Sequence, residues 1–280
     1  MQLKKTYDVA LVQMDSGENK EKNLEKAVAA VEEAVKYGAK LICFPELMNG
    51  EASAENVAEM AESSGGKTIS VLRKKAKEHK VYIHTGSMYE RIEGENRCYN
   101  TSMLLNKDGQ IVSTYRKIHM FDVTLTDGTV CAESHNIKPG KEIVTVETEL
   151  GKLGFAVCYD IRFPELFRKM ALDGAQVIIV PASFTLSTGK DHWEPLLRAR
   201  AIENSCYILA TDQIGEKNSY SAFGNSMVID PWGTVLSRAG NREEIVYARI
   251  DLEYEKKVRE MVPSLKNRRE DVYLAVNKNR

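Results

Sequence analysis

Nowhere does this 280-residue chain carry the roughly 20 consecutive apolar residues that cross a bilayer, so a membrane-spanning helix is not expected. Charge of one sign is lacking as well. Lys and Arg number 39 against 40 Asp and Glu, for a net charge of −1. So weak a field offers no footprint for nucleic acid or for an anionic lipid surface. The five cysteines (43, 98, 131, 158 and 206) are odd in number and scattered, which argues against a disulfide framework and for a reducing, cytoplasmic setting. The opening MQLKKTYDVALVQMD is interrupted by Asp8 and Gln13 and reads as a first strand rather than a signal peptide. None of the five histidines falls in HExxH or Cys–His spacing, so no metal is expected. There is no G-x-S-x-G elbow. GGKT (65–68) ends like a phosphate-binding loop, but Ala61 stands where that loop needs glycine. The preceding AENVAEMAES reads as a helix, not a strand, so GGKT is expected to be a loop before the next helix.

What is present reads as α/β. Hydrophobic residues make up 43% and charged residues 28%, as in an ordinary globular protein. DVALVQM (8–14) suits a buried strand. Lys20 to Tyr37 carries Leu24, Ala27, Val28, Val31, Ala34 and Val35 at helical spacing, with Gly38 placed for a C-cap. KLICF (40–44) is the next strand, completing a strand–helix–strand unit and implying a parallel pair. The grammar returns in KLGFAV (152–157), a helix over 162–172, and QVIIV (176–180). GAKLICFPEL (38–47) and GAQVIIVPAS (174–183) even share wording, which suggests two similar halves. Strands 81–90, 98–106 and 111–116 surround the turn KDGQ (107–110). SAFGNSMVID (221–230), the turn PWGT (231–234) and EIVYARIDL (244–252) read as a second hairpin. With no linker or low-complexity segment, residues 1–280 read as one domain: two mixed sheets face to face, helices outside. A C-terminal tail from about residue 262 is expected to dock through Val272, Tyr273 and Leu274 on its own subunit or on a neighbour.

One stretch raises the question of chemistry. GFAVCYDIRFPELFR (154–168) sets Cys158 behind an apolar strand. Free cysteine is among the most buried residue types, so packing alone can account for it. Three features point the other way. The residue ends a parallel strand, where α/β sheets present ligands. A helix is expected just after it, whose free N–H groups favour a thiolate. Arg162, one turn on, supplies a cation or an anion clamp. As activating base, sequence distance singles out none of the histidines. Glu46 in CFPEL leaves the same sheet edge; it is either a solvated loop residue or, if buried, a carboxyl with a raised pKa able to take the thiol proton. In TYRKIHMFD (114–122), Tyr115, Ile118 and Phe121 look like packing residues. Lys117 is half of a solvated Arg116–Lys117 pair or a fixed charge for an oxyanion.

The order FPE…YRKIH…CYDIRFPEL resembles the nitrilase (carbon–nitrogen hydrolase) superfamily, and the likeness runs from ALVQMD to PWGTV and RREDVY. PASFTLSTGKDHWEPLLRARAIENSCYI (181–208) and CAESHNIKPG (131–140) look most like its Nit amidases. The resemblance implies an α-β-β-α sandwich pairing through its outer helices into a homodimer or higher homo-oligomer. It also implies hydrolysis of a small-molecule carboxamide without a cofactor. Carried over by position, Cys158 would be the nucleophile, Glu46 the general base, Lys117 the oxyanion stabiliser, and Glu133 a second glutamate orienting the lysine. The Tyr159 N–H would complete the oxyanion site, and Arg162, Phe184 and Thr188 would hold a substrate carboxylate. The implied substrates are a 2-oxo acid ω-amide such as 2-oxoglutaramate, or deaminated glutathione. Cys131-Ala132-Glu133-Ser134 departs from the ω-amidase pattern toward amidases of deaminated glutathione. FDVTLTDGTV (121–130) lacks the longer aromatic-rich segment usual in carbamoyl hydrolases. A nitrilase proper, an N-carbamoyl hydrolase and a non-catalytic interaction protein keeping the fold remain the alternatives.

Overall fold

The computed structural model describes residues 3–124 and 130–277. In chain order the first half runs β1 (Thr6–Gln13), α1 (Lys20–Lys36), β2 (Leu41–Cys43), α2 (Val57–Met60) and α3 (Lys67–His79). It continues through β3 (Tyr82–His84), β4 (Met88–Arg91), β5 (Cys98–Leu105) and β6 (Ile111–Arg116). A small hairpin, β7 (Asp122–Thr124) with β8 (Val130–Ala132), leads to β9 (Thr145–Thr148), β10 (Gly151–Phe155), α4 (Pro164–Leu172) and β11 (Val177–Ala182). Then come α5 (Leu186–Asn204), β12 (Tyr207–Asp212), a second small hairpin of β13 (Ile214–Glu216) and β14 (Ser221–Phe223), and β15 (Met227–Ile229). The chain finishes with β16 (Val235–Arg238), β17 (Glu244–Asp251), α6 (Leu252–Met261) and α7 (Glu270–Asn277).

Two mixed sheets result. One has the order β17-β1-β2-β3-β5-β4, with β6 on the other side of β5; the other has the order β16-β15-β12-β11-β10-β9. Each is built on three parallel strands, β1-β2-β3 and β10-β11-β12. The near-continuous apolar runs of β2 and β11 are what such strands require, because both of their faces are covered. Alternate side chains divide between the two faces. Val9, Leu11, Leu41 and Cys43 meet Leu153, Phe155, Val177 and Ile179 between the sheets. Ala10, Val12 and Ile42 pack outward beneath Ala27, Val31, Ile69 and Leu72 of α1 and α3. Ile178, Val180 and Ile208 do the same beneath Phe167, Met170, Trp193 and Leu197 of α4 and α5. These three clusters fill the spaces between the four α-β-β-α layers, and each fully buried Leu or Ile in them contributes roughly 1.5–3 kcal/mol.

Local chemistry explains most element ends. Asn19 caps α1 by accepting from the Lys22 N–H, and Gly38 at φ +86° closes it with N–H bonds from Gly38 to Val35 and Ala39 to Ala34. GGKT is half loop and half helix, its Lys67 and Thr68 opening α3, and the helix start is already occupied: the Glu62 carboxylate accepts from the Thr68 N–H and hydroxyl, both at 2.9 Å. An acid seated there leaves no room for a phosphate.

Several expectations are corrected. The 81–90 strand is two strands, broken at Gly86, where φ is +64°. The AENVAEMAES helix is only the single turn of α2. PWGT joins β15 to β16, and the 244–251 strand crosses to the other sheet to pair with β1, Thr6 opposite Asp251 and Gln13 opposite Glu244. Helix α4 begins at Pro164; a one-turn 3-10 helix over Cys158–Arg162 comes first. Val272 and Tyr273 are about half exposed, and the Leu274 side chain lies outside what is described, as do residues 125–129 within FDVTLTDGTV. Among the described residues, no helix is long and apolar enough to cross a membrane.

Candidate active site

The two echoed strands, β2 and β11, each occupy the middle of a parallel trio, and the loops that follow them touch. The Glu46 N–H donates to the Ala182 carbonyl at 3.3 Å, so equivalent points of the two halves meet where their strands end. A cavity of about 790 Å³ opens there. Every site residue proposed from the sequence lines it: Glu46, Lys117, Glu133, Cys158, Tyr159, Arg162, Phe184 and Thr188.

Glu46 is 4% exposed, yet its carboxylate is fully provided for. Oε1 accepts from Asn100 Nδ2 at 2.7 Å and Lys117 Nζ at 3.1 Å, and Oε2 accepts from the Ser183 N–H at 2.8 Å. Lys117, 2% exposed, donates also to both oxygens of Glu133 at 2.9 Å. Glu133 in turn accepts the Phe121 N–H at 2.7 Å. Burial works against the Lys117 charge, but Glu133 and Glu46 outweigh it and hold the ammonium well above its ordinary pKa. Burial, opposed by Lys117, pushes the Glu133 carboxyl up.

Cys158 stands at the turn into the 3-10 helix with φ +47°, a backbone conformation that a side chain adopts only where its surroundings enforce it. Burial pushes its thiol well above the usual value; Glu46 adds to this and Lys117 opposes it. Burial and Glu46 thus work against the thiolate that a following helix would favour. The clamp behind this turn is Asp160, fully buried. Its Oδ2 accepts the Tyr115 hydroxyl at 2.7 Å and the Val157 N–H at 2.8 Å. Its Oδ1 accepts the His119 N–H at 3.0 Å and lies 2.7 Å from His119 Nδ1. One carboxylate thus binds the residue before the cysteine to residues on either side of the lysine. His119 stacks on Phe163 at 3.5 Å between ring centroids and supports this clamp; it is not among the residues lining the cavity.

On another wall, the Arg162 guanidinium lies 5.3 Å over the Phe184 ring and 5.9 Å over the Tyr159 ring, with Nη1 3.3 Å from His192 Nδ1. Thr188 is tied to Thr185 through their hydroxyls at 2.9 Å. Among the described residues, one trio with metal-ligand spacing, Glu32, Glu78 and His79, sits on α1 and α3, where Lys75 already pairs with both glutamates; none of the three lines the cavity. Sequence reading missed Asn100, Asp160 and Ser183. Asp160 stood inside the quoted stretch, but only the folded chain shows that its partners Tyr115 and His119 come from a strand and loop 45 and 41 residues away.

A buried acid–lysine–acid cluster beside a cysteine can take a thiol proton and neutralise an oxyanion. Comparison with known proteins agrees. A family model for carbon-nitrogen hydrolases matches residues 8–260. Omega-amidase NIT2 of Mus musculus is 38% identical over 274 residues, 98% of this chain and 99% of that protein. A deaminated glutathione amidase of Synechocystis is 38% identical over 268 residues, 94% of this chain and 98% of that protein. The crystal structure of the C. elegans NitFhit protein has 34% identity and a TM-score of 0.92, over 98% of this chain and 67% of that one. Fold and site are thus those of a cysteine-dependent amidase. The chain belongs to the carbon-nitrogen hydrolase family of the nitrilase superfamily, enzymes that act on amides with a Glu–Lys–Cys triad.

Proposed function

We propose that this amidase hydrolyses the ω-amide of a 2-oxo dicarboxylic acid, such as 2-oxoglutaramate, or deaminated glutathione. Cys158 is the nucleophile. Glu46 takes the thiol proton as sulfur attacks the carbonyl, and Lys117 with the Tyr159 N–H stabilises the oxyanion. The C–N bond breaks as Glu46 returns its proton to the leaving nitrogen, releasing an amine or ammonia and a thioester. Glu46 then deprotonates water, which cleaves the thioester and restores the thiol. Glu133 holds Lys117 in place, and its two bonds to Nζ leave the ammonium directed between the two glutamates. Arg162 binds the carboxylate at the far end of the substrate as a planar two-pronged donor, with Phe184 beneath it and Thr188 alongside.

The observation that carries this reading is that Lys117 is held by Glu46 and Glu133 in the same cavity as Cys158 and Arg162. The similarity to an omega-amidase and to a deaminated glutathione amidase supports the two substrates named. The enzyme is further proposed to be cytoplasmic, a single domain over 1–280, and a homodimer or larger homo-oligomer with the tail from about residue 262 docked on the subunit or its partner.

The test sets wild type and Cys158→Ala against 2-oxoglutaramate, deaminated glutathione, an aliphatic nitrile and an N-carbamoyl amino acid. Expected are ammonia from the first, amine release from the second, or both, together with a thioester adduct by mass spectrometry, all lost in the variant. Carbon dioxide from the carbamoyl compound, or turnover of the nitrile alone, would overturn the substrate reading.

A further inference from the structure

Glu51, Ser183 and Tyr220 form a closed triangle in the cavity wall that the catalytic steps do not use. Ser183 Oγ is 2.9 Å from Glu51 Oε2, Tyr220 Oη is 2.5 Å from Glu51 Oε1, and the two hydroxyls are 2.6 Å apart. Three contacts of hydrogen-bond length need three protons, one in each gap. The two hydroxyls supply one each and an ionised carboxylate supplies none. With Glu51 charged, one pair of oxygens would face each other at close range with no proton between them. With Glu51 protonated, the count closes: each oxygen-bearing group donates once and accepts once around the ring.

We propose that Glu51 is carried as a neutral carboxylic acid in a three-proton ring with Tyr220 and Ser183, and that it is a positioning residue for Glu46. The ring fixes Ser183, whose backbone N–H binds Glu46 Oε2 at 2.8 Å. It thereby sets the angle at which Glu46 faces Cys158. Neutrality matters because a second negative charge beside Glu46 would disfavour the carboxylate form in which Glu46 can take a proton. The surroundings agree. Glu46 faces Glu51 from the loop after β2, Tyr89 from β4, and Lys217 and Tyr220 from the β13–β14 hairpin. Burial pushes the Glu51 carboxyl up, Tyr220, Lys217 and Ser183 oppose it, and Glu46 adds to the rise. Lys217 is engaged elsewhere, donating to Asp15 at 2.8 Å and to the Ser16 carbonyl at 3.1 Å.

Glutamine can replace a neutral acid in this ring, since its amide donates to one neighbour and accepts from the other. Alanine cannot. Two substrate-free measurements keep the test independent of which amide the enzyme prefers. In infrared difference spectra of wild type against Glu51→Gln at neutral pH, a protonated-carboxyl carbonyl band is expected in wild type and absent from the variant. In peptide-resolved alkylation of Cys158 by iodoacetamide, Glu51→Ala should slow the reaction by on the order of tenfold, the consequence of a base moved by a fraction of an ångström. Glu51→Gln should recover most of that loss, and Tyr220→Phe, which removes one proton from the ring, should fall between. A carboxylate band in place of the carbonyl band overturns the neutral-acid assignment. Wild-type alkylation in Glu51→Ala, or equal damage from alanine and glutamine, overturns the positioning role. Thermal melts of each variant separate these outcomes from loss of the fold.

Discussion

Replacing Asp160 with asparagine tests how the nucleophile and the lysine are held in register. The side chain keeps its shape, but one oxygen becomes an NH₂ group that cannot accept. In the native chain Oδ2 serves Tyr115 and Val157, and Oδ1 serves His119. Whichever oxygen asparagine keeps, the other donors lose their acceptor and meet a donor instead. At about 1–3 kcal/mol for each buried donor left unpaired, Asp160→Asn should cost about 2–4 kcal/mol, and Asp160→Ala more. The larger effect should be on catalysis. Val157 precedes Cys158, and Tyr115 and His119 flank Lys117, so loosening the clamp lets sulfur and ammonium drift apart. A misplacement of about 1 Å lowers kcat by roughly a hundredfold. The assay is urea unfolding at fixed pH, with amide turnover measured where the variant is still fully folded. A fall in kcat is expected; KM is not diagnostic, because Arg162 lies in the same 3-10 turn as Asp160. A folded Asp160→Asn enzyme with wild-type kcat would refute the reasoning, however much stability it had lost.

Removing Lys117 should be worse than removing either acid, because Lys117→Met leaves Glu46 and Glu133 buried together without their shared cation; a loss of about 3–5 kcal/mol is expected in denaturant unfolding. The Lys117 pKa lies above the unfolded value of 10.5, so its stabilising contribution is full below pH 10.5 and disappears as pH rises through the folded value. The wild type should therefore lose stability on that alkaline side by an increment that Lys117→Met does not show. Gly86→Ala forces a side chain into φ +64° and against the carbonyl oxygens of Pro45 and Phe44, next to Glu46. It should cost about 2–4 kcal/mol in a thermal melt and lower activity even where the protein is folded.

Some of this was legible in the chain because the signals are local. Helix α1 announces itself through its apolar spacing and Gly38, both within one element. Glu46 and Cys158 could each be placed at the end of an apolar parallel strand, and Lys117 joined them through the order of the three motifs, but the expected single sheet edge is corrected to the ends of two facing sheets. GGKT could be set aside because its context was wrong, although only the structure shows Glu62 occupying the helix start. What stayed hidden depends on distant partners. EIVYARIDL alternates as any half-buried strand does, so its pattern cannot say whether it pairs with its neighbour or with β1. The surroundings of the thiol were hidden for a similar reason. A helix N-terminus lowers a thiol pKa, whereas burial and Glu46, contributed from far along the chain, push it up. Asn100 and Ser183, the other donors to Glu46, lie in segments whose own residues advertise only a strand and a strand end.

The pairing of β17 with β1 has a consequence for how the protein is made. All eight residues of β1 pair with a strand whose last residue is Asp251. During synthesis β1 leaves the ribosome, and its partner emerges only more than 230 residues later. Until then the nascent chain carries an apolar strand with one row of backbone donors and acceptors unmet, the kind of edge that recruits other chains. Completion of this sheet is therefore a late, long-range event, and slow translation of the second half prolongs the interval in which β1 is open to the wrong partner.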